Sequence, residues 1–308
     1  MKKKFIFFIF LLIFIPSLFS QYSKEIFIPF LKWWEPEGLS VFKEAYPDFE
    51  FVSSFDRKKN DWIVHIFKIG EDGKKTEKGS LYWAESRFLP EEKLSVKFDY
   101  RKMLYDYPSK PLNPEDFSLE EIERIKIFTS KENRKNSAID PPFLFNIIFD
   151  CEKRSSVESH IVNVPFLTKS VNVHEAISKK IETISKKILS LPRDEKMTSF
   201  LKTLSRTDGY AWRTVRDTQS RSFHSIGLAV DVLPKGYYQK TIYWAWQKQL
   251  DPENWFLTPL EKRWMPPKEV IEIFESEGFI WGGFWLVWDN MHFEYHPELL
   301  IYRDKKIK

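Results

Sequence analysis

The chain has 308 residues, of which 43% are hydrophobic and 30% are charged, a composition that excludes an intrinsically disordered protein. This length allows one large domain or two ordinary ones. The formal net charge is only +4, and the basic residues are mixed with acidic ones, so we expect no nucleic acid partner.

The first 20 residues have the pattern of a secretory signal peptide. Three lysines follow the initiator methionine, and residues 5–15 form an unbroken apolar run that ends at a proline. Such a run is too short to cross a bilayer core about 30 Å thick, which needs about 20 residues. We therefore expect cleavage after Ser20 and a mature chain that begins at Gln21 without a stable membrane anchor. The protein is then exported to the periplasm, the cell envelope or the medium.

The sequence contains a single cysteine, Cys151. An exported chain with one thiol can form no internal disulfide, so its stability must come from its hydrophobic core. It also cannot build a structural zinc site from cysteines. Any metal ion must therefore be held by histidine, aspartate and glutamate side chains.

Residues 45–105 have an extended pattern. Aromatic and β-branched residues are concentrated at 61–67 and 80–84, and a polar loop containing Gly73 separates the two runs. This arrangement predicts a β-hairpin.

Residues 105–142 are rich in proline and charge, which is typical of a connecting region. Ser118 and Glu121 have the spacing of a capping box, so one short helix is predicted after Ser118. We assign residues 21–142 to a β-rich N-terminal region of unknown role that ends in this connector.

Three helices are predicted in the second half of the chain. The first is capped by Asn172 and has one apolar face with its lysines opposite, the apolar face being formed by Ile177, Ile181, Ile184 and Ile188. The second covers residues 195–204. The third covers residues 268–277 and ends at Gly278, a common position for glycine after a helix.

Two segments, 227–233 and 279–295, alternate in the manner of strands. In the second segment His292 and Glu294 share one face. We therefore expect Glu294 to contact His292 as a hydrogen-bond or ion-pair partner rather than to bind a metal itself.

Four polar side chains in or near these segments have the spacing of a catalytic zinc site. His224 and Asp231, seven positions apart, can supply a nitrogen and an oxygen to one metal ion, and His292 can supply a second nitrogen. The fourth tetrahedral position then stays open for water, as catalysis requires. Asp289 precedes His292 by three residues and can lie near that water without being a ligand.

The order of these residues resembles a known family. Ser222-x-His224-x-x-Gly227-x-Ala229-x-Asp231, followed by Asp289-x-x-His292-Phe293-Glu294, is similar to the zinc D,D-peptidases of peptidase family M15. This group contains the VanY-type carboxypeptidases and the L-alanyl-D-glutamate endopeptidases. The segment 209–213 also resembles the place where the family has a substrate-binding arginine. The resemblance covers roughly residues 160–300, and three matched segments in one order make it specific.

The resemblance implies one zinc ion per chain, with His224, Asp231 and His292 as its ligands. Asp289 stands where the family has its acidic general base. That base takes a proton from zinc-activated water and returns it to the leaving amine.

The resemblance also implies roles for two residues that bind the substrate. Arg213 would hold a substrate carbonyl oxygen or carboxylate and stabilise the tetrahedral oxyanion. Arg216 is close enough in sequence to take that role instead, although we favour Arg213. Ser222 would contact the substrate or orient His224.

The remaining histidines are assigned more ordinary roles. A single histidine in a strand or on a surface is usually structural, and we interpret His65, His160 and His174 in this way. His296 precedes a proline in a polar turn near the site and is a secondary candidate for contact with the metal.

Together these observations predict an α+β fold in residues 143–303, preceded by the β-rich N-terminal region. By the resemblance, a small antiparallel sheet carries the zinc site and helices pack on one side of it, as in the hedgehog and D,D-peptidase-like fold. The implied function is cleavage of the peptide stems of peptidoglycan by a D,D-carboxypeptidase or an L,D- or D,D-endopeptidase. The alternative is an inactive cell-wall-binding protein that retains the zinc site.

Overall fold

The computed structural model describes residues 35–236 and 239–307. The predicted signal peptide, residues 1–20, and the predicted new N-terminus at Gln21 lie outside the described residues. Within those two ranges, no helix is both long enough and apolar enough to span a membrane.

The first part of the described chain contains a three-stranded antiparallel sheet and several short helices. In chain order the elements are α1 (Leu39–Ala45), β1 (Phe49–Asp56), β2 (Asp61–Ile69), β3 (Lys75–Tyr82), α2 (Leu119–Phe128), α3 (Lys131–Asn136), α4 (Phe143–Phe149) and α5 (Arg154–Ser159). The strands lie in the order β1-β2-β3. Strands β2 and β3 pair antiparallel, which confirms the predicted hairpin.

The second part contains a two-stranded sheet, a four-stranded sheet and longer helices. The elements are β4 (Ile161–Phe166), β5 (Lys169–His174), α6 (Glu175–Ser190), α7 (Glu195–Thr203), β6 (Leu204–Asp208), β7 (Ala229–Pro234), α8 (Trp244–Leu250), α9 (Lys268–Ser276), β8 (Phe279–Trp281), β9 (His292–Tyr295) and α10 (Pro297–Ile307). The four strands lie in the order β6-β7-β9-β8, and all of their pairings are antiparallel. Helices mixed with small antiparallel sheets fit the predicted α+β class.

The start of helix α6 differs from the prediction. Asn172 does not cap the helix, because it pairs with Asn163 in the β4-β5 ladder and its carbonyl accepts the N–H of Tyr210 at 2.7 Å. The strand continues to His174, whose Nδ1 accepts the N–H of Ala176 at 3.2 Å and so caps the helix instead. The predicted isoleucine stripe is fully buried.

Two other predictions need correction. The capping box of Ser118 and Glu121 is present, but the connector contains a second helix, α3, that the sequence analysis did not predict. The segment 279–295 is not one strand, because the turn Gly282–Phe284 and the loop after it separate β8 from β9. This interruption lets Asp289 fold back, so that its N–H donates to the Gly282 carbonyl at 3.0 Å.

One hydrophobic core joins both parts of the described chain. It extends from Phe42 in α1 through Ile181 in α6 to Leu300 in α10. A smaller aromatic cluster is built around Trp244, Trp255 and Trp288. Helix α1 also packs directly against α10, so the first helix and the last helix of the described chain share one interface.

Candidate metal centre and active site

The three predicted metal ligands converge at one point of the four-stranded sheet. Asp231 on β7 is the cross-strand neighbour of His292 on β9, and His224 lies in the short turn that precedes β7. The Asp231 Oδ1 lies 3.1 Å from the His224 Nε2 and 2.9 Å from the His292 Nδ1. The two ring nitrogens are themselves 3.1 Å apart. All three residues are buried, and they form a group that could hold a metal ion.

The turn that carries His224 is fixed at both ends. At its start, the buried Ser222 hydroxyl accepts the N–H of His224 at 3.3 Å. At its end, Gly227 has a φ of +68°, a left-handed conformation that favours glycine. A Cβ at this position would lie 2.7 Å from the backbone nitrogen of His174. The glycine therefore lets the turn pack closely on the start of helix α6.

The outer nitrogens of the two histidines are committed to other partners. The His224 Nδ1 lies 2.6 Å from the Gly209 carbonyl oxygen, which can only accept, so this nitrogen carries the proton. The His292 Nε2 lies 3.0 Å from the Glu294 Oε2, and Glu294 is the partner that the sequence predicts. Both rings thus direct their remaining nitrogen toward Asp231, as is usual for histidines that bind metals.

The charges around this point favour a cation. Although burial opposes it, hydrogen bonds that His292 donates to the Asp231 and Glu294 carboxylates raise the pKa of His292 to about 10. In the same way, and again against burial, His224 and His292 hold the pKa of Asp231 well below its usual value. The site therefore favours positive charge beside Asp231, which either a proton or a metal cation can supply.

The donor set also fits zinc. Two imidazole nitrogens and one carboxylate oxygen are ligands that zinc prefers when it keeps an open position. Tetrahedral ligands about 2.0–2.2 Å from zinc are separated from one another by roughly 3.3 Å. The observed separations of 2.9 to 3.1 Å are close to that value.

Asp289 lies beside this group without belonging to it. Its Oδ1 is buried and has no hydrogen-bond partner in the described part of the chain. Burial and the negative charge of Asp231 raise the pKa of Asp289 to about 7, against the opposing influence of His292 and Arg213. A carboxylate with this environment is well suited to accept a proton and return it near neutral pH.

Two arginines and a tyrosine lie near Asp289. Arg213 is exposed and close enough to Asp289 to lower its pKa. The Arg216 guanidinium lies 6.0 Å from the centre of the Tyr243 ring. Tyr243 pairs with Asp289 through an isolated backbone bridge, which places this tyrosine at the site. The sequence analysis did not identify Tyr243, because it stands in an aromatic segment without a motif.

His296 does not contact the three converging residues. Its ring is buried, with Nδ1 2.6 Å from the Glu298 Oε1 and Nε2 3.2 Å from the Glu294 Oε1. His296 is therefore not a metal contact, since carboxylates hold both of its nitrogens. His174 caps helix α6, as a structural histidine would.

Comparison with known proteins gives two matches, each to one part of the chain. Residues 209–295 match a family model described as D-alanyl-D-alanine carboxypeptidase. Residues 38–105 match a model described as a domain of unknown function. No curated protein and no solved structure shows significant similarity to the chain. The first match confirms the resemblance to family M15 and supports a peptidase in general, and it includes the three converging residues and Asp289.

Proposed function

We propose that this protein is an exported zinc metallopeptidase that cleaves the peptide stems of peptidoglycan. The observation that carries the proposal is the convergence of His224, Asp231 and His292, with the outer nitrogen of each imidazole already bound elsewhere. The match of residues 209–295 to carboxypeptidases supports a peptidase with this kind of substrate. The proposal includes one zinc ion per chain.

Each residue of the site has a separate task in this proposal. Zinc bound by His224, Asp231 and His292 would supply Lewis acidity and lower the pKa of a water molecule to about 7. Asp289 accepts the proton of the attacking water through its Oδ1, which has no hydrogen-bond partner among the described residues, and delivers it to the leaving amine.

Arg213 and Ser222 have assisting roles in this proposal. Arg213 is exposed near Asp289, and its charge holds the substrate carbonyl oxygen or carboxylate and stabilises the oxyanion. Ser222 is buried and already binds the N–H of His224, which favours an orienting role over direct contact with the substrate.

The family match supports a peptidoglycan stem peptide as the substrate, and we consider two kinds of bond cleavage. A D,D-carboxypeptidase would release free D-alanine from the stem. An L,D- or D,D-endopeptidase would release larger peptides. Digestion of defined muropeptides, with the products identified by mass, distinguishes the two.

The test of the proposal is turnover of purified peptidoglycan by the mature chain. We expect release of D-alanine or of cut peptides when zinc is supplied, and none after chelation or with His292→Ala. A zinc-loaded protein that binds peptidoglycan but releases nothing would contradict the proposal and support the cell-wall-binding alternative.

A further inference from the structure

A chain of buried hydrogen bonds continues from the candidate metal centre to the end of helix α1. Glu294 contacts His292 through Oε2 at 3.0 Å and His296 through Oε1 at 3.2 Å. On its other side, His296 lies 2.6 Å from the Glu298 Oε1. The second oxygen of Glu298 accepts the hydroxyl of Tyr46 at 2.6 Å. Tyr46 is the residue that follows α1.

The outer members of this chain are enclosed in the protein. Glu298 is 0% exposed, Tyr46 is 5% exposed and His296 is 8% exposed. A buried carboxylate is costly unless both oxygens have partners, and Glu298 has a partner on each oxygen. The carboxylates of Glu298 and Glu294 raise the pKa of His296 to about 10, although burial opposes this. Imidazoles and carboxylates thus alternate from His292 through Glu294 and His296 to Glu298, and each hydrogen-bonds to the next.

Packing restricts the His296 ring as well. Its centroid lies 4.1 Å from that of Phe223, which directly precedes the ligand His224, and 5.8 Å from that of Phe145. The imidazole therefore cannot turn away from Glu294 without displacing aromatic neighbours, including one in the metal-binding turn. A change in the position or charge of Glu298 therefore acts on Glu294 through the His296 ring, whose rotation is restricted.

The series of hydrogen bonds from His292 to Tyr46 joins parts of the sequence that match different families. Tyr46 lies in the segment 38–105, which matches the domain of unknown function. His296 and Glu298 lie just beyond residue 295, where the carboxypeptidase match ends. The three outer members are therefore features of this protein that the matched peptidase segment does not contain.

We propose that Tyr46, Glu298 and His296 are positioning residues of the metal centre. They hold Glu294 in the orientation that fixes the His292 ring, so the N-terminal segment 38–105 contributes directly to metal affinity. This inference depends on the metal site of the proposed function. Partners of metal-binding histidines usually contribute 10- to 100-fold to metal affinity.

The test measures the zinc affinity of the full mature chain by competition with a chromogenic chelator. Tyr46→Phe removes the hydroxyl and leaves one oxygen of the buried Glu298 without a donor. We expect its zinc dissociation constant to rise by about tenfold, the lower end of the usual effect because Tyr46 is farther from the metal. Glu298→Gln, which keeps the shape but removes the charge that faces His296, should act in the same direction. It serves as the second variant if Tyr46→Phe does not fold.

Tyr107→Phe is the matched control. Tyr107 is 3% exposed, and its hydroxyl accepts the Trp281 N–H at 2.8 Å, so it also joins the N-terminal part to the four-stranded sheet. Among the described residues, its hydroxyl bonds to Trp281 and not to the hydrogen-bonded carboxylates and histidines that end at Tyr46. We expect a lower melting temperature for Tyr107→Phe but an unchanged zinc affinity.

Introduction of Tyr46→Phe into a Glu294→Gln background gives a further check. If Tyr46 acts through Glu294, the second substitution should not weaken zinc binding any further. Unchanged zinc affinity in Tyr46→Phe, or equal weakening in Tyr46→Phe and Tyr107→Phe, would overturn the inference. Failure of the wild-type chain to bind zinc would instead refute the proposed function.

Discussion

His224 and His292 face one another with ring nitrogens 3.1 Å apart, while their outer nitrogens bind Gly209 and Glu294. Two unprotonated nitrogens at this distance repel each other unless positive charge lies between them and Asp231. The hydrogen bonds of the outer nitrogens to Gly209 and Glu294 thus determine which nitrogens of His224 and His292 are left to bind a metal ion. A metal ion relieves the repulsion and uses all three inward-facing donor atoms at once.

The first prediction concerns zinc stoichiometry. The wild-type chain should bind one zinc ion, and His224→Ala and His292→Ala should each lose it, because two ligands with one open side hold zinc poorly. Metal analysis after gel filtration measures the content. His65→Ala, in which a partly exposed histidine on β2 is removed, is the control and should keep its zinc. Stoichiometric zinc in both ligand variants would show that the metal is held elsewhere.

Asp289→Asn tests the general base. The amide keeps the size of the side chain but cannot accept the proton, so kcat should fall by about 10²- to 10⁴-fold while zinc stays bound. Steady-state kinetics on a muropeptide and metal analysis of the same preparation are the measurements. Near-normal turnover with full zinc would exclude Asp289. Glu294 is a poor substitute, because His292 and His296 occupy its two oxygens.

The two arginines can be separated by parallel substitution. Arg213→Ala should lower kcat/KM by roughly 10²- to 10³-fold without loss of zinc, since its charge acts on the oxyanion. Arg216→Ala should have a smaller effect, because the Arg216 guanidinium lies over the Tyr243 ring, whereas Arg213 is the arginine that lowers the pKa of Asp289. The reverse order of effects would assign the substrate-binding role to Arg216.

The export prediction can be checked on protein recovered from the cell envelope. The basic start and the apolar run at residues 5–15 predict cleavage after Ser20. N-terminal sequencing should therefore begin at Gln21. A chain that retains Met1 would contradict the prediction.

Part of the metal-site geometry was predictable from local signals, whereas the meeting of His292 with Asp231, 61 positions away, was expected only from the resemblance to family M15. His224 lies in a short turn, and Asp231 lies in β7, the strand that follows this turn. The alternation of β9 places His292 and Glu294 on the same face. The capping box at Ser118 is local as well, and the structure contains it. In each of these three pairs the residues lie no more than 7 positions apart.

Features that depend on distant parts of the chain were not predictable. Tyr46 and Glu298 are 252 positions apart, and no periodicity in either segment indicates that they meet. The start of α6 was misplaced for a related reason. Asn172 is a good helix cap by propensity, but pairing with β4 and a bond from Tyr210 keep it in a strand.

The final prediction concerns the acid stability of the fold and His174, the residue that caps helix α6 where the sequence predicted Asn172 as the cap. Burial lowers the pKa of His174 below its ordinary value of 6.5. Its Nε2 donates to the Phe149 carbonyl, and its Nδ1 must stay unprotonated to accept the Ala176 N–H. The unfolded chain therefore binds a proton that the folded chain resists. For this residue, the free energy of unfolding decreases as the pH falls below about 6.5.

His174→Asn isolates this contribution, since asparagine can cap helix α6 through its side-chain oxygen but does not titrate. Loss of the bond to Phe149 should cost about 0.5–1.5 kcal/mol at neutral pH. On acidification the variant should lose less stability than the wild type, so the two curves should approach each other. Urea unfolding at pH values from about 7.5 to 5 measures both.

His160 must be considered with His174, because the two rings stack with centroids 5.1 Å apart. Although burial opposes it, Glu175 and Asp150 raise the pKa of His160, so its own contribution has the opposite sign. It stabilises the fold below pH 6.5 and is lost as the pH rises. Because His160 is present in both proteins, the difference between the two curves reports mainly on His174. Parallel curves would contradict a lowered pKa of His174 in the folded chain.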